Sequence, residues 1–321
     1  MINSMEKLIY QMFILGFGTE LERALGKGLG GVIFFTKDIL SEEDFKNKIA
    51  EIKNKSLINP FLSIDQEGGR VERTENIRPR RISPRYAYER GEKFLRSQSL
   101  EISKELNSWG INLNFAPCAD VNTNPNNPII GERSFSNNAD DVIKGVEIFS
   151  EMSKKCGVIP CVKHFPGHGD ADKDSHLTLP VIDLPLEEMR NIHIKPFAKA
   201  IEQGVDMVMV AHLYCKCFDK EVVPSSLSKN VAGYLREQLG FSGVVISDDM
   251  VMKGVQNYGG FDACRMGIEA GLDMFIYRQA DEEVIKTIEH LIGYAEKNSD
   301  FRQKVIEAND RIKNLKLKYG I

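Results

Sequence analysis

Short apolar runs recur at residues 12–16, 31–35, 60–64, 111–116, 159–163, 206–211, 243–247 and 272–277, each bounded by glycine, proline or polar residues. Runs of this length, rich in Val, Ile, Phe and Met, predict strands. Val205-Asp-Met-Val-Met-Val210 shows almost no polar alternation, the pattern of a parallel strand covered on both faces rather than a half-exposed one. Between the runs, apolar residues return at helical spacing over residues 42–52, 86–109, 139–155, 186–203 and 228–239. Ser41 before Glu42-Glu43-Asp44, Pro185 before Glu187-Glu188, and Ser228 mark helix starts. Eight strands alternating with helices predict an α/β fold, a (β/α)8 TIM barrel, with an open doubly wound sheet as the alternative. After Ala280 the chain turns polar and helical. A single barrel domain over residues 1–321 is therefore expected, with C-terminal helices from residue 281 onward.

Composition narrows this picture. With 42% hydrophobic and 27% charged residues, the chain is neither disordered nor fibrous. The net charge of -4 and the lack of a dense basic block give no footprint for nucleic acid. Arg78-Pro-Arg-Arg81 reads as a charged loop. Six cysteines without repeating spacing read as reduced core thiols, which places the protein in a reducing compartment, the cytoplasm. The apolar run over residues 8–17 contains Gln11 and no small-residue cleavage site follows it, so it reads as core rather than as a leader. No stretch reaches eighteen apolar residues, so no membrane association is expected. The oligomeric state is left open.

In a parallel barrel, functional groups collect where strands end. Asp65-Gln-Glu-Gly-Gly-Arg70 follows the third run, Asp120 the fourth, Lys163-His164 ends the fifth, and His212 follows the sixth. Asp248-Asp249 follows the seventh and Arg278 the eighth. One such aspartate is more often a helix cap than a catalyst; six polar groups in one register are harder to explain that way. The densest segment is Lys163-His-Phe-Pro-Gly-His-Gly-Asp170 with Asp174-Ser-His176, which carries three of the six histidines. Taken alone, these residues leave three readings open: a metal site using His164, His168 and His176, acid–base catalysis without metal, or a structural loop. Pro166 and Gly167 deny the helix that an i,i+4 histidine pair requires. A strand over residues 244–247 would aim Asp248 into the barrel mouth as a nucleophile.

Asp65-Gln-Glu-Gly-Gly-Arg-Val71, Gly131-Glu-Arg-Ser-Phe135, the loop over residues 163–176 and Ser247-Asp-Asp-Met250 resemble, in order, the motifs of glycoside hydrolase family 3. The long loop is similar to that of the family's β-N-acetylglucosaminidase branch, and the resemblance spans residues 12–277. It implies removal of terminal, non-reducing β-linked N-acetylglucosamine from peptidoglycan-derived fragments by retaining double displacement. It makes Asp248 the nucleophile, His176 the acid/base and Asp174 the partner that orients His176, with Asp249 in support. It assigns Asp65, Arg73, Arg133, Lys163 and His164 to sugar binding, and implies no metal and no cofactor. The implied partner is a small glycan, a muropeptide or disaccharide. A phosphorylase on the same substrates, a metal-dependent hydrolase and a non-catalytic sugar binder are the alternatives. Arg70 is expected to brace the Gly68-Gly69 turn. His168 and Asp170 are expected to shape the long loop, with Gly167 and Gly169 at positive φ.

Overall fold

Eight parallel strands arise in chain order from the eight apolar runs. They are β1 (Phe13–Leu15), β2 (Gly31–Phe34), β3 (Phe61–Ile64), β4 (Leu113–Asn114), β5 (Ile159–Phe165), β6 (Met207–Val210), β7 (Val244–Asp249) and β8 (Met274–Tyr277). The computed structural model describes residues 4–171 and 179–321. Asp174 and His176 lie outside the described residues. Each strand pairs with its neighbours in sequence, and β1 pairs with β8, with Ile14 opposite Ile276. The sheet therefore closes into a (β/α)8 barrel, and the open-sheet alternative is excluded. All four residues of β6 are buried, as expected of a strand with barrel interior on one side and helices on the other. Phe13 and Phe275, their rings 5.7 Å apart, pack across the closing seam.

Helix Glu42–Lys55 begins where Ser41 Oγ accepts the Asp44 amide at 3.1 Å, and Ser228 Oγ accepts the Val231 amide at the same distance to start Lys229–Gly233. The long helix expected over residues 86–109 is two helices, Pro84–Glu89 and Glu92–Trp109, parted at Gly91 with φ 93°. The stretch expected as one helix over residues 186–203 is also divided. Leu186–Glu188 runs into a π turn at Met189–His193, and Lys195–Glu202 follows. Pro196 has no amide to continue the α ladder, and the Ile194 amide reaches back five residues to the Met189 carbonyl at 2.7 Å.

A two-stranded parallel sheet joins Val181–Ile182 to Tyr214–Cys215 beside the barrel. Two residues per strand are too few to leave a periodic trace in sequence. The residue 8–17 run is core, as expected: it closes helix Ser4–Gln11 and supplies β1, with Ile9, Tyr10 and Phe13 buried. The C-terminal helices are Glu282–Lys297 and Ser299–Tyr319. Among the described residues, no helix is long and apolar enough to cross a membrane.

Candidate active site

The polar strand ends converge on a cavity of about 370 Å³ that contains Asp65, Arg73, Arg133, Lys163, His164 and Asp248. These are the five expected sugar-binding residues and the expected nucleophile, brought together from four different strand ends or the loops after them.

Beside that lining, bonded to Arg133 and Lys163, sits Glu67, which the sequence reading passed over. Gly68 and Gly69 adopt φ of 98° and 62°, values that side-chain-bearing residues avoid, and the Glu67 and Gly68 amides both bond the Val71 carbonyl. The chain thus doubles back after β3 and buries Glu67. Its carboxylate accepts from Arg133 Nε at 2.9 Å and Nη2 at 2.8 Å, and pairs with Lys163 Nζ at 2.8 Å. Lys163 Nζ also donates to Asp65 Oδ1 at 2.7 Å. Burial would push the Glu67 carboxyl up, but the Arg133 and Lys163 cations hold it well below the usual carboxylate range. Burial likewise works against the Lys163 ammonium, and Asp65 and Glu67 raise it above the ordinary lysine value. Two cations and two carboxylates therefore form one balanced, buried set. Arg73 extends it: its Nη2 lies 3.8 Å from Asp65 Oδ2 and its guanidinium stacks 5.6 Å from the Phe35 ring.

Asp248 stands at the barrel end of β7. Burial raises its carboxyl, but the imidazoles of His164 and His212, the Asp249 amide at 2.7 Å and the Lys163 ammonium outweigh this and hold it below the ordinary aspartate value. Its neighbour Asp249 behaves in the opposite sense, with burial raising its carboxyl above the usual range. Asp249 accepts from Arg278 and, through Oδ1, from the Val251 amide at 3.2 Å. The Asp249 carboxylate is thus tied to Arg278 and the Val251 amide, whereas that of Asp248 accepts from the Asp249 amide and faces the cavity. His212 is buried behind them, its Nδ1 2.6 Å from Ser226 Oγ.

Several expectations change. Arg70 does not brace the Gly68-Gly69 turn; it donates to the carbonyls of Pro128, at 3.0 Å, and Ile129, and so ties the loop after β4 to the cavity wall. Gly167 has positive φ, at 125°, but Gly169 does not. A Cβ at Gly169 would lie 1.8 Å from the Val121 carbonyl, so close backbone approach demands that glycine. Asp170 does shape the loop, accepting from Thr123 Oγ1 at 2.9 Å. Arg78 and Arg81 pair with Glu42, Glu72, Glu101 and Glu105, and Arg80 with Glu75, so the basic stretch is a neutralised loop. Among the described residues, the cluster with metal-ligand chemistry is Cys118, Asp120 and His164, whose ligand atoms lie within 4.8 Å of one another. It shares only His164 with the His164, His168 and His176 set that was one of the open readings of the loop, and His176 lies outside the described residues. Asp120 was visible in sequence as a strand-end carboxylate, and Glu67 as an acid beside a Gly-Gly pair; neither position announced its partners.

A closed parallel barrel that sets an ionised carboxylate among fixed cations at the carboxyl ends of its strands has the layout of a barrel hydrolase. The chain belongs to glycosyl hydrolase family 3: residues 5–315 match the family's N-terminal domain. It is 34% identical over 270 residues to a β-hexosaminidase A of Pseudoalteromonas piscicida, covering 77% of this chain and 45% of that protein. With a β-hexosaminidase of Neisseria gonorrhoeae it shares 32% identity over 267 residues, 80% of this chain and 73% of the relative. The solved structure of a family 3 β-N-acetylglucosaminidase from a Paenibacillus species superposes with a TM-score of 0.94 at 30% identity, over 99% of this chain and 63% of that one. The chain thus spans about half of the first relative's length and under two thirds of that structure's.

Proposed function

We propose that this chain hydrolyses terminal, non-reducing β-linked N-acetylglucosamine with retention of configuration, using Asp248 as nucleophile. The observation that carries this reading is the half-buried Asp248 carboxylate, held ionised and sharing one cavity with Asp65, Arg73, Arg133, Lys163 and His164. In the first step Asp248 forms a bond to the anomeric carbon as the glycosidic C–O bond breaks, and the departing oxygen takes a proton from the acid/base. In the second, water attacks that carbon, gives its proton to the acid/base and releases Asp248. The acid/base role goes to His176, oriented by Asp174, on the sequence resemblance of their loop; a neutral imidazole formed in the first step is the base the second needs.

The fixed cations and Asp65 suit sugar hydroxyl and acetamido groups. Ile33, Phe35 and Met209 supply an apolar wall for the C–H face of a pyranose or an acetamido methyl. The names of the relatives support an N-acetylhexosaminide substrate. Peptidoglycan-derived muropeptides or disaccharides are the proposed natural source, and the six cysteines, none in a disulfide, support a reducing compartment such as the cytoplasm.

The test is turnover of p-nitrophenyl β-N-acetylglucosaminide in chelator, with the β-glucoside as comparison and products analysed with and without phosphate. Turnover that disappears in Asp248→Ala supports the proposal. A glycosyl phosphate product replaces hydrolase with phosphorylase, and activity lost in chelator but restored by a divalent ion moves the reading to a metal-dependent hydrolase.

A further inference from the structure

Asp120 does not line the cavity, yet it holds one of its walls. The residue is fully buried beyond β4, and its carboxylate faces four donors. His164 Nδ1 lies 2.7 Å from Oδ2, the His168 amide donates to Oδ1 at 2.6 Å, and Cys118 Sγ donates to Oδ2 at 3.1 Å. The His164 amide sits 3.3 Å from Oδ2 and 3.4 Å from Oδ1. An ionised carboxylate only accepts, so His164 Nδ1 must carry a proton. On the other side of the ring, Nε2 lies 3.3 Å from Arg133 Nη2. A guanidinium only donates, so Nε2 must offer its lone pair. The two partners leave one compatible arrangement, the neutral ring with its proton on Nδ1. A proton on Nε2 would set donor against donor beside a buried cation.

We infer that Asp120 is a positioning residue: it locks His164 into the Nδ1–H tautomer, so that the single Nε2 lone pair, which meets Arg133 only at a long 3.3 Å, is taken by a sugar hydroxyl that displaces that contact. The consequence for recognition is directional. His164 reads the hydroxyl as a donor, whereas Lys163 and Arg133 read neighbouring oxygens as acceptors, and a ring of the opposite tautomer would lose that distinction. Asp120 also binds the His168 amide, which fixes the chain four residues beyond His164. The inference rests on the proposed sugar-binding role of His164, but its chemical core, the tautomer, does not require turnover.

The deciding measurement is the ring-nitrogen signature of His164 in protein labelled with 15N-histidine, its signals assigned by their loss in His164→Gln. The wild type is expected to show the Nδ1–H neutral tautomer, the reverse of what a free imidazole side chain favours. Asp120→Asn, which can turn an amide donor toward Nδ1, is expected to shift the ring to Nε2–H or a mixture. It should also lower kcat/KM on the aryl N-acetylglucosaminide on the order of a hundredfold, the scale of a misplaced binding group, mostly through KM. An Nε2–H ring in the wild type overturns the inference, and so does a folded Asp120→Asn that keeps both tautomer and KM. If Asp120→Asn does not fold, the wild-type signature alone decides. A wild type that does not turn over the substrate overturns the proposed function instead, and leaves the tautomer result standing.

Discussion

Replacing Glu67 by Gln tests the buried charge set most directly. The wild-type set balances two cations, Lys163 and Arg133, against Asp65 and Glu67, with Glu67 only 2% exposed and bonded to both cations. The amide keeps the shape but removes the charge, and its NH2 turns a donor toward one of two groups that can only donate. Stripping one partner from a buried pair costs about 3–5 kcal/mol, which for a chain of this size corresponds to a melting temperature roughly 4–8 °C lower. Lys163 and Arg133 also face the cavity, so their displacement should lower kcat/KM on an aryl N-acetylglucosaminide on the order of a hundredfold. The dependence on pH has a defined sign. The folded Glu67 carboxyl is held below its ordinary value, so its stabilisation is complete above about 4.3 and is lost as pH falls through the folded value. The gap in melting temperature between wild type and Glu67→Gln should therefore be full at neutral pH and narrow in acid. Scanning calorimetry across pH, with kinetics at neutral pH, measures all of this. A variant melting within about 2 °C of wild type with kcat/KM essentially unchanged would refute the reasoning.

Asp248→Ala should lose about 10³- to 10⁵-fold in kcat with little change in melting temperature, and added azide should restore turnover with formation of a glycosyl azide; no rescue together with residual wild-type-like turnover would remove Asp248 as nucleophile. Among the described residues His168 has no ring hydrogen-bond partner, and burial lowers its imidazole to about 4. Unfolding below about pH 6.5 therefore takes up a proton, and its contribution, roughly 3 kcal/mol, is present above that pH and lost as pH falls toward the folded value. The acid-side slope of stability should flatten in His168→Leu, as denaturant titrations at several pH values would show. Lys316 is buried over the Phe61 ring with its ammonium on the Asn59 carbonyl at 2.7 Å, and burial, with help from Lys7, lowers it to about 7. Because its folded value lies below that of the unfolded chain, stability should rise from about pH 7 toward 10.4. Lys316→Met should be more stable at neutral pH by on the order of 1–3 kcal/mol, after allowing for the lost hydrogen bond; a lower melting temperature for that variant would show that the charge is better solvated than its burial implies.

The sequence by itself determined a parallel sheet of eight strands alternating with helices, and the pairing of β1 with β8 in the tertiary structure closed it into a barrel rather than an open sheet. Eight apolar runs without alternation could only be satisfied by strands buried on both faces, and local periodicity between them required helices. Because strand and helix alternate, the polar residues that end the runs had to gather at one rim, and Asp65, Lys163, His164 and Asp248 were identifiable there from position alone. Capping chemistry is equally local, which is why Ser41 and Ser228 start helices as expected. What depended on partners distant in the chain was decided only by the tertiary structure. Glu67, in the loop after β3, meets Arg133 from the segment after β4 and Lys163 from β5, and Asp120 meets His164 and His168 across the gap between β4 and β5. Nothing in the residues beside them shows whether such a carboxylate caps a helix or neutralises a buried cation. Arg70 reached past its own turn to the 128–129 carbonyls, and Gly169 is glycine because the Val121 carbonyl approaches it, not because its φ is positive. Electrostatic identity followed the same rule: Asp248 and Asp249 are adjacent and alike in sequence, and only their opposite surroundings hold one ionised and raise the other, because a carboxylate's free energy is set by the charges and solvent around it rather than by the chain that carries it.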